Sequence, residues 1–310
     1  MSYSKRMQQN NLYSIYLAPR GRVRMVDLGM QIAQQYLSPF DHIIGIIGEA
    51  GSGKSMLIKG MFPGLDLTND DEGVNIRPLP LLDVYEKTFY APHTYHVDIR
   101  FEAGLTPMHK LADAIMECVR LGRRVVVEHF EMVYPLLGRN ADLLIGVGSE
   151  IIITRPSIFG PNPEDMAKIA AYSLPYRLMA HTAEDLCGYV MNAHNNDLYR
   201  RSDVRHGFIY EFDEEPKFDV QEIEEEVKKM ISQDLPVSYY DDTHIKIGDD
   251  IVIDCQAPRM HVKSTGKIEE FGLHKEIIHD KKWGYYMMVG QVGKKKEALL
   301  RGLNLNKMEL

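Results

Sequence analysis

An unbroken apolar run, Ile43-Ile44-Gly45-Ile46-Ile47 behind His42, leads straight into Gly48-Glu49-Ala50-Gly51-Ser52-Gly53-Lys54-Ser55. A helix-forming stretch ending near Met61 follows. A short run of this kind is typical of a strand buried on both faces. Glycines at 48, 51 and 53 let backbone N–H groups turn inward with no Cβ in the way, so they can surround phosphate oxygens. The N-terminus of the helix adds about half a positive charge. The spacing G-x-x-x-x-G-K-[ST] puts Lys54 within reach of β- and γ-phosphates and lets Ser55 hold Mg²⁺. Gly48, Gly51, Ser52, Gly53, Lys54 and Ser55 are therefore the expected nucleotide-binding residues. A plain glycine turn would explain neither the strand before the loop nor the helix after it.

Further strand-like runs lie at Tyr95–Phe101, Arg124–Phe130, Leu143–Val147 and Glu150–Thr154, with a helical pattern from Met108 to Leu121. Strands alternating with helices predict an α/β domain with a mostly parallel sheet. Residues 1–22 read as a polar, irregular arm before a helix-like stretch that ends ahead of Pro39. Gly160-Pro161-Asn162-Pro163 is the strongest turn cluster. It sets the expected boundary, with one domain over 1–162 and another over 163–310. Nucleotide chemistry needs an acid to hold Mg²⁺ or orient the attacking group. Glu128, closing Val125-Val126-Val127-Glu128, is the first candidate, and Asp98, in the middle of its run, is the second. Asp70, with Asp66 and Asp71, follows the first helix, either as an acceptor-binding acid or in a solvated turn. Lys54, Glu128 and Asp70 form the expected catalytic set.

These residues resemble a P-loop nucleoside kinase of the uridine kinase type. Val127-Glu128-His129 is similar to that family's strand ending in Glu-Gly, with His in place of Gly. Residues 142–156 resemble the family's next strand and the arginine-bearing segment after it. The resemblance implies ATP with Mg²⁺ as cofactor and phosphoryl transfer to a small acceptor. Where the family's lid carries several arginines, this chain has only Arg155 before Pro156. Nucleotide binding is thus implied more strongly than transfer.

The second half reads as α+β. A helix-like stretch runs from Pro163 to about residue 195, and Gly207–Phe212 alternates like a strand. Asp219 can cap a helix from Val220 to about residue 233, with Glu222 in the capping-box position. Short strand-like runs follow at Ile245–Ile247, Ile251–Asp254, Ile268–Phe271 and Trp283–Val289. His181 and Asp185 stand at i and i+4, on one helix face. With Cys255 and His261 they make a donor set suited to zinc, or else they are separate core and surface groups. Asn195, Asn196, Arg200, Arg201 and Arg205 read as a solvated loop or as a contact for a phosphate or an RNA end. Lys294-Lys295-Lys296 reads as a solvated helix start, and the large apolar side chains of Trp283–Met288 as core.

This half resembles the second additional domain of threonyl- and alanyl-tRNA synthetases. The segments that carry the likeness are His181-Thr182-Ala183, Gly207–Asp213, Ile223–Val227 leading to Leu235-Pro236-Val237, and His261–Phe271. The resemblance implies an H-x-x-x-H helix and a C-x-x-x-H loop that converge on a cleft, bind zinc and support hydrolysis of mischarged tRNA. Both motifs are altered here. The first reads His181-x-x-x-Asp185. The second places five residues between Cys255 and His261, with Ala257 at the family's Cys position.

Composition narrows the partners. Lys+Arg 36 against Asp+Glu 44 gives a net charge of −8, which argues against a general nucleic-acid coat protein. Three scattered cysteines make no disulfide framework. No apolar run nears the ~20 residues needed to span a bilayer, and the N-terminus lacks the apolar core of a signal peptide. The expectation is a cytoplasmic, ATP-binding P-loop kinase or NTPase. Its α+β domain would hold a nucleoside, an aminoacyl compound or a tRNA-related ligand, with no membrane partner. The alternatives are an aminoacyl-tRNA editing hydrolase with a regulatory nucleotide site, and a non-catalytic nucleotide-dependent sensor.

Overall fold

The computed structural model describes residues 13–68, 79–83, 92–193 and 199–293. The chain is mixed α/β and divides into two compact units. One is built mainly on Met25–Tyr172; the other joins Ser173–Gly302 with the short stretch Leu17–Arg24.

The first unit is organised by a six-stranded sheet in the order β1-β6-β5-β2-β4-β3. These strands are β1 (Ser14–Leu17), β2 (Ile43–Ile47), β3 (Thr94–Asp98), β4 (Arg124–Glu128), β5 (Leu143–Val147) and β6 (Glu150–Thr154). β2 pairs in parallel with both β4 and β5, and β3 in parallel with β4, while β6 runs antiparallel to β5. Every residue of β2 and β5 is buried, as expected of strands covered on both faces. The chain leaves β2 for the β4/β3 side and later returns to β5 on the other side. In such sheets ligands bind outside the carboxyl ends of the strands at the point of reversal. The covering helices include α1 (Arg22–Tyr36), α2 (Lys54–Met61), the one-turn α3 (Ile99–Glu102), α4 (Met108–Arg120) and α5 (Phe130–Leu137). α1 and α2 cross closely at two glycines. A Cβ on Gly29 would lie 2.4 Å from the Leu57 carbonyl oxygen, and one on Gly60 would lie 2.1 Å from that of Val26.

In the second unit the residues of α6 (Pro163–Ala193) from Met179 to Val190 are all buried except Tyr189. Ala180, Ala183, Leu186 and Cys187 pack with Phe208, Tyr210, Ile223 and Ile245. Two antiparallel sheets flank this core. The larger runs β12-β14-β8-β7, with β13 added on β14. Its strands are β7 (Arg200–Val204), β8 (Gly207–Phe212), β12 (Gly272–Leu273), β13 (Ile278–Asp280) and β14 (Tyr285–Gln291). The smaller runs β11-β10-β9, from β9 (Val237–Asp241), β10 (His244–Ile247) and β11 (Ile251–Asp254). Among the described residues a further α-helix of this unit is α7 (Val220–Ser232), whose cap Asp219 accepts from the Gln221 N–H at 2.8 Å. No helix among the described residues is long and apolar enough to cross a membrane.

The structure departs from the sequence reading in several places. The supposed irregular arm holds β1, which borders the sheet beside β6. Tyr95–Phe101 is not one strand: β3 ends at Asp98, and the next residues turn into α3. The basic stretch at 200–204 is β7 rather than a solvated loop, and Ile268–Phe271 forms no strand. Trp283 is 65% exposed at the turn between β13 and β14, so it is not core. Asp70, Asp71, Asn195, Asn196 and Lys294-Lys295-Lys296 lie outside the described residues.

Candidate functional sites

Two groups of buried polar side chains stand out, one in each unit. The first lies where β2 ends. Gly51 and Gly53 take φ of 76° and 90°, a left-handed conformation that favours glycine, and Gly53 is the N-cap of α2. A Cβ on Gly48 would lie 2.6 Å from the Val147 carbonyl oxygen. The side chain of Ser52 is buried, and Ser55 lies in the first turn of α2. Lys54, only 6% exposed, donates from Nζ to the Glu49 carbonyl at 3.1 Å and lies 3.6 Å from Glu128 Oε2.

Glu128 ends β4 and faces Asp98 across the ladder. Its other oxygen, Oε1, is 3.1 Å from His96 Nε2. The Thr68 backbone N–H donates to His96 Nδ1 at 3.0 Å. That bond makes Nδ1 the acceptor nitrogen, so Nε2 carries the proton and donates it to Glu128. Burial alone would lift the Glu128 pKa. The hydrogen bond from His96 and the charge of Lys54 outweigh it and hold the carboxyl below its ordinary value. Asp98 caps α3 by accepting from the Phe101 N–H at 3.1 Å. His129 takes φ 56°, the left-handed conformation a glycine would hold more easily at that turn. Arg155 is far from this group along β2. It pairs with Asp41, ahead of the strand, at 2.6 and 2.8 Å. His96 and Thr68 were not singled out from sequence. The one available signal was the i, i+2 pair His96 and Asp98, which shares a strand face.

In the second unit, polar side chains sit on the buried part of α6: His181, Thr182, Glu184 and Asp185 are each at most 3% exposed. Burying such groups is unfavourable unless they are bonded or ligated. His181 Nε2 lies 3.1 Å from Cys255 Sγ and 3.8 Å from Asp185 Oδ2. His261 Nε2 lies 3.2 Å from Cys255 Sγ and 3.6 Å from Asp185 Oδ2. The four donor atoms all fall within 4.8 Å of one another. Bonds of about 2.0–2.3 Å to zinc give tetrahedral ligand-to-ligand edges of about 3.3–3.6 Å; the four separations of 3.1–3.8 Å lie near these edges, and the widest in the group would close onto an ion. The longer Cys255–His261 spacing is taken up by a turn in which the Met260 N–H donates to the Ala257 carbonyl at 2.9 Å.

The hydrogen bonds around the group favour ligation. Thr182 Oγ1 spends its one proton on the Leu178 carbonyl at 2.9 Å, so toward His261 Nδ1, 3.2 Å away, it accepts. His261 therefore carries its proton on Nδ1 and turns the Nε2 lone pair into the group. Burial lowers His181 and brings His261 down to about 4, against the pull of Asp185, so both rings are neutral at pH 7. Burial, then the Asp185 charge, pushes the Cys255 thiol up; metal ligation would require the thiolate. Asp185 Oδ2 is buried without a hydrogen-bond partner, as a ligand oxygen would be. An open cleft of about 790 Å³ reaches His181, Glu184 and Cys255 and is bordered by Arg20, Arg24 and Arg201. These arginines are committed to carboxylates: Arg20 to Glu184 at 3.3 Å, Arg24 to Asp203 at 2.5 Å and Arg201 to Asp185 at 2.6 Å. Glu184, pushed up to about 7 by burial against the pull of Arg20 and Arg201, had no sequence signal beyond its place between His181 and Asp185.

No family model matches the chain, and no curated protein does. Among solved structures, an aminotransferase from Eubacterium rectale is similar at 12% identity over 70% of this chain, with a TM-score of 0.23; the chain spans 64% of that protein's length. A likeness so slight carries no argument about fold or chemistry.

Proposed function

We propose that the protein binds ATP with Mg²⁺ at the glycine loop and moves the terminal phosphoryl group to water or to a small acceptor hydroxyl. One observation supports this reading above the others. Lys54 and Glu128 form a buried pair at the carboxyl ends of parallel strands, with His96 orienting Glu128 from its other oxygen. Backbone N–H groups of Gly48–Lys54 would meet the phosphate oxygens, and Lys54 would leave the Glu49 carbonyl for them. Ser55 would hold the magnesium, which neutralises charge on the β- and γ-phosphates. Glu128 would orient the attacking hydroxyl and accept its proton at Oε2, an effect commonly worth about 10²–10⁴-fold in rate. The test uses γ-labelled ATP and Mg²⁺ with a nucleoside pool and bulk tRNA, beside a Lys54→Ala variant. Label in an acceptor, or phosphate release, that the variant loses supports the reading. No turnover in either protein removes it.

A second reading draws on the convergence of His181, Asp185, Cys255 and His261. These residues would hold zinc in a domain that acts on an aminoacyl ester such as the end of a charged tRNA. With four protein ligands the zinc has no open position, so it would fix the walls of the site while the ester binds beside it. The cleft beside the group would admit the ester. Zinc content of the purified chain, together with release of amino acid from aminoacyl-tRNA by wild type and by Cys255→Ala, decides it. A metal-free protein, or equal release by both, removes this reading.

A further inference from the structure

We propose that Arg201 is the positioning residue of the metal group in the second unit. It holds Asp185 so that one carboxylate oxygen alone, Oδ2, completes a closed set of four protein ligands. This inference rests on the reading that His181, Asp185, Cys255 and His261 hold a metal.

The argument begins with the strand. Side chains alternate along β7, so Arg201 and Asp203 project from one face, and both meet the buried part of α6 or its partners. Arg201 pairs with Asp185, and Asp203 pairs with Arg20, which also bonds Glu184. The register Arg201↔Tyr210 places the guanidinium beside two rings. Its carbon lies 5.8 Å from the centroids of both Tyr199 and Tyr210. Tyr210 is itself fixed, donating from its hydroxyl to the Glu184 carbonyl at 2.5 Å.

Room for the guanidinium comes from Gly188, three residues after Asp185 on the same face of α6. A Cβ there would lie 2.9 Å from the Tyr210 hydroxyl and 3.1 Å from Arg201 Nη2. Arg201 therefore reaches Asp185 through a slot that a larger residue would narrow.

The consequence for the carboxylate is specific. Nη1 of Arg201 occupies Oδ1 at 2.6 Å, while Oδ2 stays without a hydrogen-bond partner and lies 3.6 and 3.8 Å from the two histidine Nε2 atoms. One oxygen is spoken for, and the other is aimed into the donor group. A carboxylate has two oxygens and can chelate; an outer partner on one of them leaves a single ligand atom and fixes its direction. Two imidazoles, one thiolate and one such oxygen make a tetrahedral set with no position left over, the pattern of a structural rather than an open site. Asp185 thus serves as a ligand because a residue from β7 orients it.

The test is cobalt binding by the full-length chain. Wild type titrated with Co²⁺ should take up one ion, with the intense visible bands of a tetrahedral centre and a thiolate-to-cobalt charge-transfer band. Arg201→Met should bind Co²⁺ about 10–100-fold more weakly, the scale on which such outer partners act, with its visible bands shifted and weakened. Arg201→Lys should recover most of the wild-type spectrum. A folded Arg201→Met with wild-type affinity and spectrum overturns the proposal. X-ray absorption at the zinc edge of the loaded wild type needs no variant to fold. One sulfur and three nitrogen or oxygen ligands support the proposal; a chelating carboxylate or a fifth ligand overturns it. Wild type that takes up no metal removes the metal reading itself, an outcome separate from failure of the Arg201 variants.

Discussion

Glu128 illustrates how one side chain's environment sets both its stability contribution and its chemical role. It is 3% exposed, a place where a carboxylate is normally neutral, yet His96 and Lys54 keep it charged. Its pKa in the folded protein lies below the value in the unfolded chain. Its contribution to stability is therefore fully present above the ordinary glutamate range, and is lost as the pH falls through that range to the lower folded value. Glu128→Gln should remove this acid-sensitive part and leave Lys54 buried beside a neutral amide. Breaking such a buried pair costs about 3–5 kcal/mol. Urea unfolding of both proteins between pH 7 and about pH 3 reads the difference. The variant should be less stable at pH 7 and lose less on acidification; parallel curves would show that Glu128 is not held charged by its neighbours.

At the scale of elements, the position of the glycine loop depends on how α1 and α2 meet. Gly→Ala inside a helix ordinarily stabilises by about 0.5–1 kcal/mol, because glycine gives up more backbone freedom. At Gly29 and Gly60 the contacts reverse that sign. The added methyl would meet backbone atoms at 2.4 and 2.1 Å, and backbone cannot move aside as a flexible side chain can. Gly29→Ala and Gly60→Ala are each expected to destabilise the first unit by roughly 1–3 kcal/mol, the usual range for overpacking. They should also weaken nucleotide binding, because α2 carries Lys54 and Ser55. Denaturant midpoints with nucleotide titrations check both effects. A midpoint at or above wild type would mean that the helices separate at little cost. The same scale accounts for β7, which the sequence reading took for a loop. Its two arginines and one aspartate are not the usual residues of a strand, but the alternate pair Arg201 and Asp203 find opposite charges inside the unit.

For the whole molecule, metal should act on one unit's stability and not the other's. A metal that binds the folded state alone at a hundredfold excess over its Kd adds about 2.7 kcal/mol. For a unit of this size that raises the thermal midpoint by about 10 °C. Calorimetry with zinc and then with chelator should move one transition and leave another in place. A single transition indifferent to zinc would contradict the four-residue site. Much of the molecule was legible from neighbours along the chain: the strands from Ile43 to Ile47 and from Arg124 to Glu128, the glycine loop, the long helix from Pro163 and the cap at Asp219. Apolar runs, glycine spacing and capping residues act over a few residues, so their signal survives in one dimension. The pairing of Glu128 with His96, the return of His261 to Cys255 through a longer loop, the capture of Arg155 by Asp41, and Arg201 behind Asp185 were not legible. Each joins residues whose separation along the chain says nothing of their distance. Only the packing of buried faces sets that distance, and packing decides which polar groups must find partners once water is excluded.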